Sequence, residues 1–89
     1  MKTFDDLVFV LYVADEREKQ AVMNFKNGYG VSVLIGDRFC SNGIDTYELA
    51  VLFDGKITYN TPITDYVLCG LTKSEVTEAM KKVQELQTN

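Results

Sequence analysis

Three dipeptides of one kind constrain this chain more than any other feature: Asn27-Gly28, Asn42-Gly43 and Asp54-Gly55. Asn and Asp accept a positive φ more readily than other side chains and Gly accepts it freely, so each pair can reverse the chain tightly. Before the first pair, Ala21, Met23 and Phe25 alternate with Val22, Asn24 and Lys26; after it, Val31, Val33 and Ile35 alternate with Ser32 and Leu34. Before the third, Tyr47, Leu49, Val51 and Phe53 alternate with Glu48, Ala50 and Leu52, and the chain returns through Ile57 and Tyr59. A two-residue period on both sides of such a reversal predicts a β-hairpin with a type I′ turn. Pro62 ends the last strand because it has no N–H for the ladder. Residues 36–46, between the hairpins, form a polar loop that carries the middle pair and is the natural place for a binding function.

The C-terminal part has a different period. Thr72-Lys73-Ser74-Glu75 reads as a capping box, and Val76, Ala79, Met80, Val83 and Leu86 follow as one apolar stripe opposite Lys73, Glu78, Lys81, Lys82 and Glu85. An amphipathic helix is expected there. A second helix is expected over residues 3–14, with Thr3 as N-cap and Phe4, Leu7, Val8, Leu11 and Tyr12 at helical spacing, although the run from Leu7 to Val13 is also rich in β formers. Asp15 to Lys19 reads as a charged connector, and a short helical piece from Thr64 or Asp65 to Cys69 would stop at Gly70. The fold class is therefore α+β: a four-stranded antiparallel sheet of two hairpins, a C-terminal amphipathic helix and an N-terminal helix. With 89 residues, one hydrophobic core and a single domain over residues 1–89 are expected.

Composition excludes more than it suggests. The net charge is −4, so no basic field is present to gather phosphates, and direct nucleic-acid binding is not expected. No apolar run is long enough for a membrane span. No secretion signal opens the sequence, which places the protein in the cytoplasm with Cys40 and Cys69 reduced, Cys69 as a small buried hydrophobe. Histidine is absent, removing the commonest general base and metal ligand together. The chain is read as a non-enzyme with no cofactor and no metal site. Gly28-Tyr29-Gly30 is flanked by strand-like stretches on both sides, so it belongs to a hairpin and not to a phosphate-cradling loop.

The second face of the sheet is the sequence's oddity. If Met23, Val33, Val51 and Ile57 face the core, then Val22, Leu34, Ala50 and Leu52 point the other way, where a one-sided sheet would be polar. The N-terminal helix, a second copy of the chain in a homodimer, or a target protein would have to cover them.

The strings Asn27-Gly28-Tyr29-Gly30, Tyr47-Glu48-Leu49-Ala50-Val51-Leu52 and Thr58-Tyr59-Asn60-Thr61-Pro62-Ile63-Thr64-Asp65 resemble a pattern shared by small phage and prophage proteins of unknown function. The likeness runs roughly from Phe25 to Leu86. It implies a phage accessory protein acting in the host cytoplasm, and such proteins include inhibitors of host defence, anti-CRISPR proteins among them. The function expected on that basis is binding and blocking a bacterial host protein such as a CRISPR effector. The partner-binding residues would be Asp37, Arg38, Phe39, Asp45, Glu48, Asp54 and Asp65, with carboxylates imitating a nucleic-acid backbone. The competing reading is an oligomeric module that sequesters a small molecule or signalling nucleotide. It would stack the ligand on Tyr29, Phe39, Tyr47 or Tyr66 near Arg17, Arg38 or Lys56.

Overall fold

A computed structural model describes residues 1–12, 15–36, 41–59, 61–63 and 67–87. Its sheet is antiparallel and has six strands: β1 (Val10–Tyr12), β2 (Asp15–Asn24), β3 (Tyr29–Ile35), β4 (Tyr47–Phe53), β5 (Lys56–Ile57) and β6 (Val67–Leu71). The order is β1-β2-β3-β4-β5, with β6 sharing β4's outer edge beside β5. One helix, α1 (Lys73–Gln84), packs across one face. The α+β class, the two hairpins and the C-terminal helix stand as expected. The strand count and the N-terminal helix do not.

The N-terminal helix is replaced by a single 3-10 turn, Phe4–Asp6, followed by extended chain and β1. Thr3 caps that turn, and its backbone N–H donates to the Asp6 carboxylate at 2.8 Å. The β-branched run that follows loses less side-chain freedom in a strand, and pairing with β2 decides the matter. The charged connector is likewise part of β2, whose ten residues begin at Asp15. Charge did not prevent it: Lys19 is exposed, while Glu18 is buried at 3% exposure inside the strand.

The expected short helix before Gly70 is strand β6. Leu71 pairs with Tyr47 and Leu68 with Leu49, so two residues, Cys69 and Gly70, stand opposite Glu48. That is a β-bulge, and Gly70 at φ 64° supplies the left-handed residue it needs. Gly70 thus bends a strand where the sequence suggested it ended a helix. Thr64, Asp65 and Tyr66 lie outside the described residues.

The two hairpin turns differ. Asp54 (φ 53°) and Gly55 (φ 78°) both take positive φ, the two-residue type I′ geometry. At the first hairpin only Gly28 does (φ 89°), and Gly28 N–H donates to Phe25 O at 3.2 Å while Phe25 N–H donates to Tyr29 O at 2.7 Å. This is a three-residue reversal ending in a left-handed glycine, which leaves Asn27 in ordinary backbone and its side chain free for other work. Its Nδ2 donates to the carbonyls of Val83 and Leu86, both at 2.9 Å, tying the hairpin to the end of α1.

The core lies between α1 and the sheet. Val31, Val33, Leu49 and Val51 meet Val76, Ala79, Met80 and Val83, and the capping box at Thr72 and Glu75 starts the helix at the register this requires. The N-terminal segment packs on this same side. Phe4 and Phe9 flank Tyr47 with ring centroids 5.0 and 5.8 Å away, Phe4 N–H donates to Thr77 Oγ1 at 3.1 Å, and Lys2 and Gln84 exchange two hydrogen bonds. The described N-terminal segment therefore does not cover the sheet's far face.

A groove beside the helix and the fate of the expected site residues

The far face is less open than its sequence implies. Pairing of Leu52 with Ile57 puts Ile57 there and not in the core as expected. Ala50 (3% exposed) and Leu52 (5%) are already buried within one chain, and Leu34 is half-buried. The exposed apolar residues of this face, Val10 (59%), Val22 (53%) and Ile57 (50%), sit on β1, β2 and β5. Between them Ser32 is buried and accepts a hydrogen bond from Gln20 Nε2 at 2.9 Å. Of the four residues expected to mediate self-association, only Val22 and Leu34 keep surface to offer.

The described members of the expected partner-binding set, Asp45, Glu48 and Asp54, do not gather into one patch. Asp37, Arg38, Phe39 and Asp65 lie outside the described residues. Asp45 is held by its neighbours: Asn42 Nδ2 donates to its carboxylate at 2.7 Å, while Asn42 Oδ1 accepts from the backbone N–H groups of Ile44, Asp45 and Thr46. Ser41 fastens this loop to Gly36, accepting from its N–H and donating to its carbonyl. Glu48 pairs across from Leu34 on the far face. Asp54 stands at the opposite end of β4 from Asp45, a strand length of roughly 20 Å away. Of the residues proposed for stacking a nucleotide, Tyr47 is buried in the aromatic cluster and Tyr29 packs on Phe53 at 4.8 Å. Phe39, Tyr66 and the side chain of Arg17 lie outside the described residues, and Lys56 is exposed on β5.

The Tyr47 phenol has a displaced equilibrium. Burial first, and the nearby Asp45 carboxylate second, raise its phenol above the ordinary value. Both disfavour the phenolate, so Tyr47 is a neutral packing residue at ordinary pH. Among the described residues no group of three or more acidic or cysteine side chains is placed to hold a metal ion, and no helix is long and apolar enough to cross a membrane.

Cys69 departs from its expected role in two ways. It is exposed, at the bulge of β6, and it is disulfide-bonded. The expectation of reduced thiols, which followed from the expected cytoplasmic location, is therefore wrong. Cys40, the chain's only other cysteine, lies outside the described residues.

What the fold does assemble is a groove of about 640 Å³ lined by α1, by Pro62 and Ile63, and by Leu68 and Leu71 of β6. Its floor is apolar: Ile63, Leu68 and Leu71 are half-buried against the core, Ala79 is buried, and Leu86 closes one end. Its rim is charged, with Glu75, Glu78, Lys82 and Glu85 along the exposed side of α1. The bulge creates this arrangement, since the extra residue brings both Leu68 and Leu71 to the helix side of the sheet. Sequence reasoning missed the groove because residues 64–69 read as helix, which hid the pairing of Leu68 and Leu71 with β4. The helix carboxylates were legible, but only as a solvated face.

Comparison with protein-family models, characterised proteins and solved structures finds no match to this chain.

Proposed function

We propose that this protein acts without catalysis, by binding a partner protein, and that its target is a component of bacterial defence such as a CRISPR effector. The groove between α1 and β6 carries the binding part of this reading. An apolar floor bordered by carboxylates is the composition of a protein docking site, with burial supplying affinity and the rim supplying selectivity. The defence target comes from the likeness of the Asn27-Gly28-Tyr29-Gly30 and Tyr47 to Leu52 strings to phage accessory proteins. Host cytoplasm is the place of action in this reading, so the fold must survive reduction of the Cys69 disulfide.

The test is phage plating on bacteria with an active CRISPR or other defence system, with and without the protein expressed. Plating should rise by orders of magnitude for the targeted system, and the purified effector should bind the protein directly. No rise in plating with any of a panel of defence systems would overturn the assignment.

A further inference from the structure

Resting on the reading of this chain as a binding protein, we infer that the groove takes one kind of occupant: an amphipathic helix of the partner, apolar on one face and flanked by Lys or Arg. Three features of the groove select it. The wall formed by α1 from Glu75 to Gln84 is about 14 Å long at 1.5 Å per residue, about two and a half turns against which a second helix can lie. Buried Ala79 on this wall keeps α1 slim where an incoming helix would approach, within the 8–10 Å typical of packed helix axes. The floor offers side chains and not a straight strand edge. The bulge at Cys69 and Gly70 interrupts β6 in the way that protects strands from adding another, which disfavours an extended peptide.

Charge decides the flanks. Glu75, Glu78 and Glu85 stand against a single Lys82 on the rim. One Glu75 oxygen accepts from Thr72 N–H, and Glu78, largely in water, meets the half-exposed Lys81 only at 3.9 Å. A surface pair of that kind contributes little and gives way to a better partner. Glu78 and Glu85 are therefore open to cations on an incoming helix, while an acidic helix or a nucleic-acid backbone is repelled.

The experiment is fluorescence anisotropy of the intact protein with a labelled Leu/Lys amphipathic peptide of about 18 residues, long enough to hold a helix. A Leu/Glu peptide of the same pattern is the control. The basic peptide is expected to bind at least roughly tenfold more tightly in about 0.1 M salt, with the gap closing as salt is raised. Glu78→Lys with Glu85→Lys should remove that preference while leaving the melting temperature close to the parent's, since both side chains are exposed. Leu68→Ala should weaken both peptides. Equal binding of the two peptides by the parent protein, or an unchanged preference in the charge-reversed variant, overturns the inference. Plating separates the two levels. If the charge-reversed variant loses the peptide but still protects phage, the groove is not the docking site and the inhibitor reading survives; if the parent protein binds the peptide but never protects phage, the defence target fails and the groove stands.

Discussion

Asn27 is the residue whose replacement tests the fold most sharply, because one side chain joins the first hairpin to the end of α1. Its Nδ2 carries two N–H groups and faces three carbonyls: Val83 and Leu86 at 2.9 Å, and Gln84 at 3.3 Å as a shared contact. The Val83 and Gln84 carbonyls are among the terminal ones that an α-helix cannot satisfy internally, and Leu86 follows just beyond the helix end. Its Oδ1 meanwhile accepts from Tyr29 N–H at 3.1 Å, which fixes the turn. Asn27→Asp keeps the shape and the Tyr29 bond but removes both donors and sets a negative charge at the negative end of the helix dipole. Two part-buried hydrogen bonds at about 1 kcal/mol each, with about 0.5 kcal/mol of dipole repulsion, predict a loss of roughly 2.5 kcal/mol. For a domain of this size that is a fall of about 10–20 °C in melting temperature. Asn27→Ala, which also loses the Tyr29 bond, should cost about 3 kcal/mol but without the salt dependence that the new charge confers on the Asp variant. Chemical denaturation followed by circular dichroism, at low and high salt, measures both. An Asp variant within about 0.5 kcal/mol of the parent would refute the claim that Asn27 anchors the hairpin to the helix.

Gly30→Ala would place a Cβ 2.5 Å from the Met23 carbonyl and 2.8 Å from Asn24 Oδ1, so circular dichroism should report loss of the fold; a native spectrum at the parent's melting temperature contradicts the Asn24 to Gly30 pairing. Because the Tyr47 phenol is raised in the folded state, the stability it contributes is present below the unfolded value near 10 and is lost as pH climbs through the higher folded value. Urea midpoints should fall over that alkaline range and fall less in Tyr47→Phe; identical alkaline profiles would show that Tyr47 ionises freely. Thiol titration of the unreduced protein should find no free thiol, and reduction should cost about 2–4 kcal/mol while leaving a cooperative unfolding transition. Unfolding on reduction alone would remove the cytoplasmic inhibitor reading.

The hairpins and the closing helix were legible because their signals are local. Alternation around Asn27-Gly28 and Asp54-Gly55, and the Thr72 to Glu75 box, each act within a few residues, and tertiary contacts agree with them. The misreadings came where local signals competed. Phe4, Leu7, Val8 and Leu11 fit a helical stripe, yet Val8, Val10 and Tyr12 are good strand formers, and pairing of Val10, Leu11 and Tyr12 with β2 tips the balance. Gly70 carries a left-handed φ in either reading, as a helix terminator or as a bulge, so its identity could not separate them. Asn27 shows the limit from the other side: the turn was placed correctly, but its geometry and its long-range bonds to α1 have no local signature.

For the candidate site the same distinction explains what stayed hidden. The expected partner-binding residues are loop and acidic side chains, which stand out in any sequence, and those that are described, Asp45, Glu48 and Asp54, lie apart and are partly engaged in local structure. The groove instead needs residues from two elements separated by a reversal: Leu68 and Leu71 from a strand, Glu78 and Ala79 from the helix that follows it. Each alone reads as ordinary, a buried leucine or a solvated glutamate. Their conjunction depends on the one-residue surplus at the bulge, which turns both leucines toward α1; without it, strand alternation would send one of the pair to the far face. A docking surface in this fold is therefore a consequence of register, and register is the property a single sequence encodes least locally. The sheet's apolar far face looked like the interaction surface only because alternation was read without its neighbours. Once Ala50 and Leu52 are buried within the chain and Gln20 and Ser32 divide the rest, the apolar surface that remains organised is the one the bulge created beside the helix.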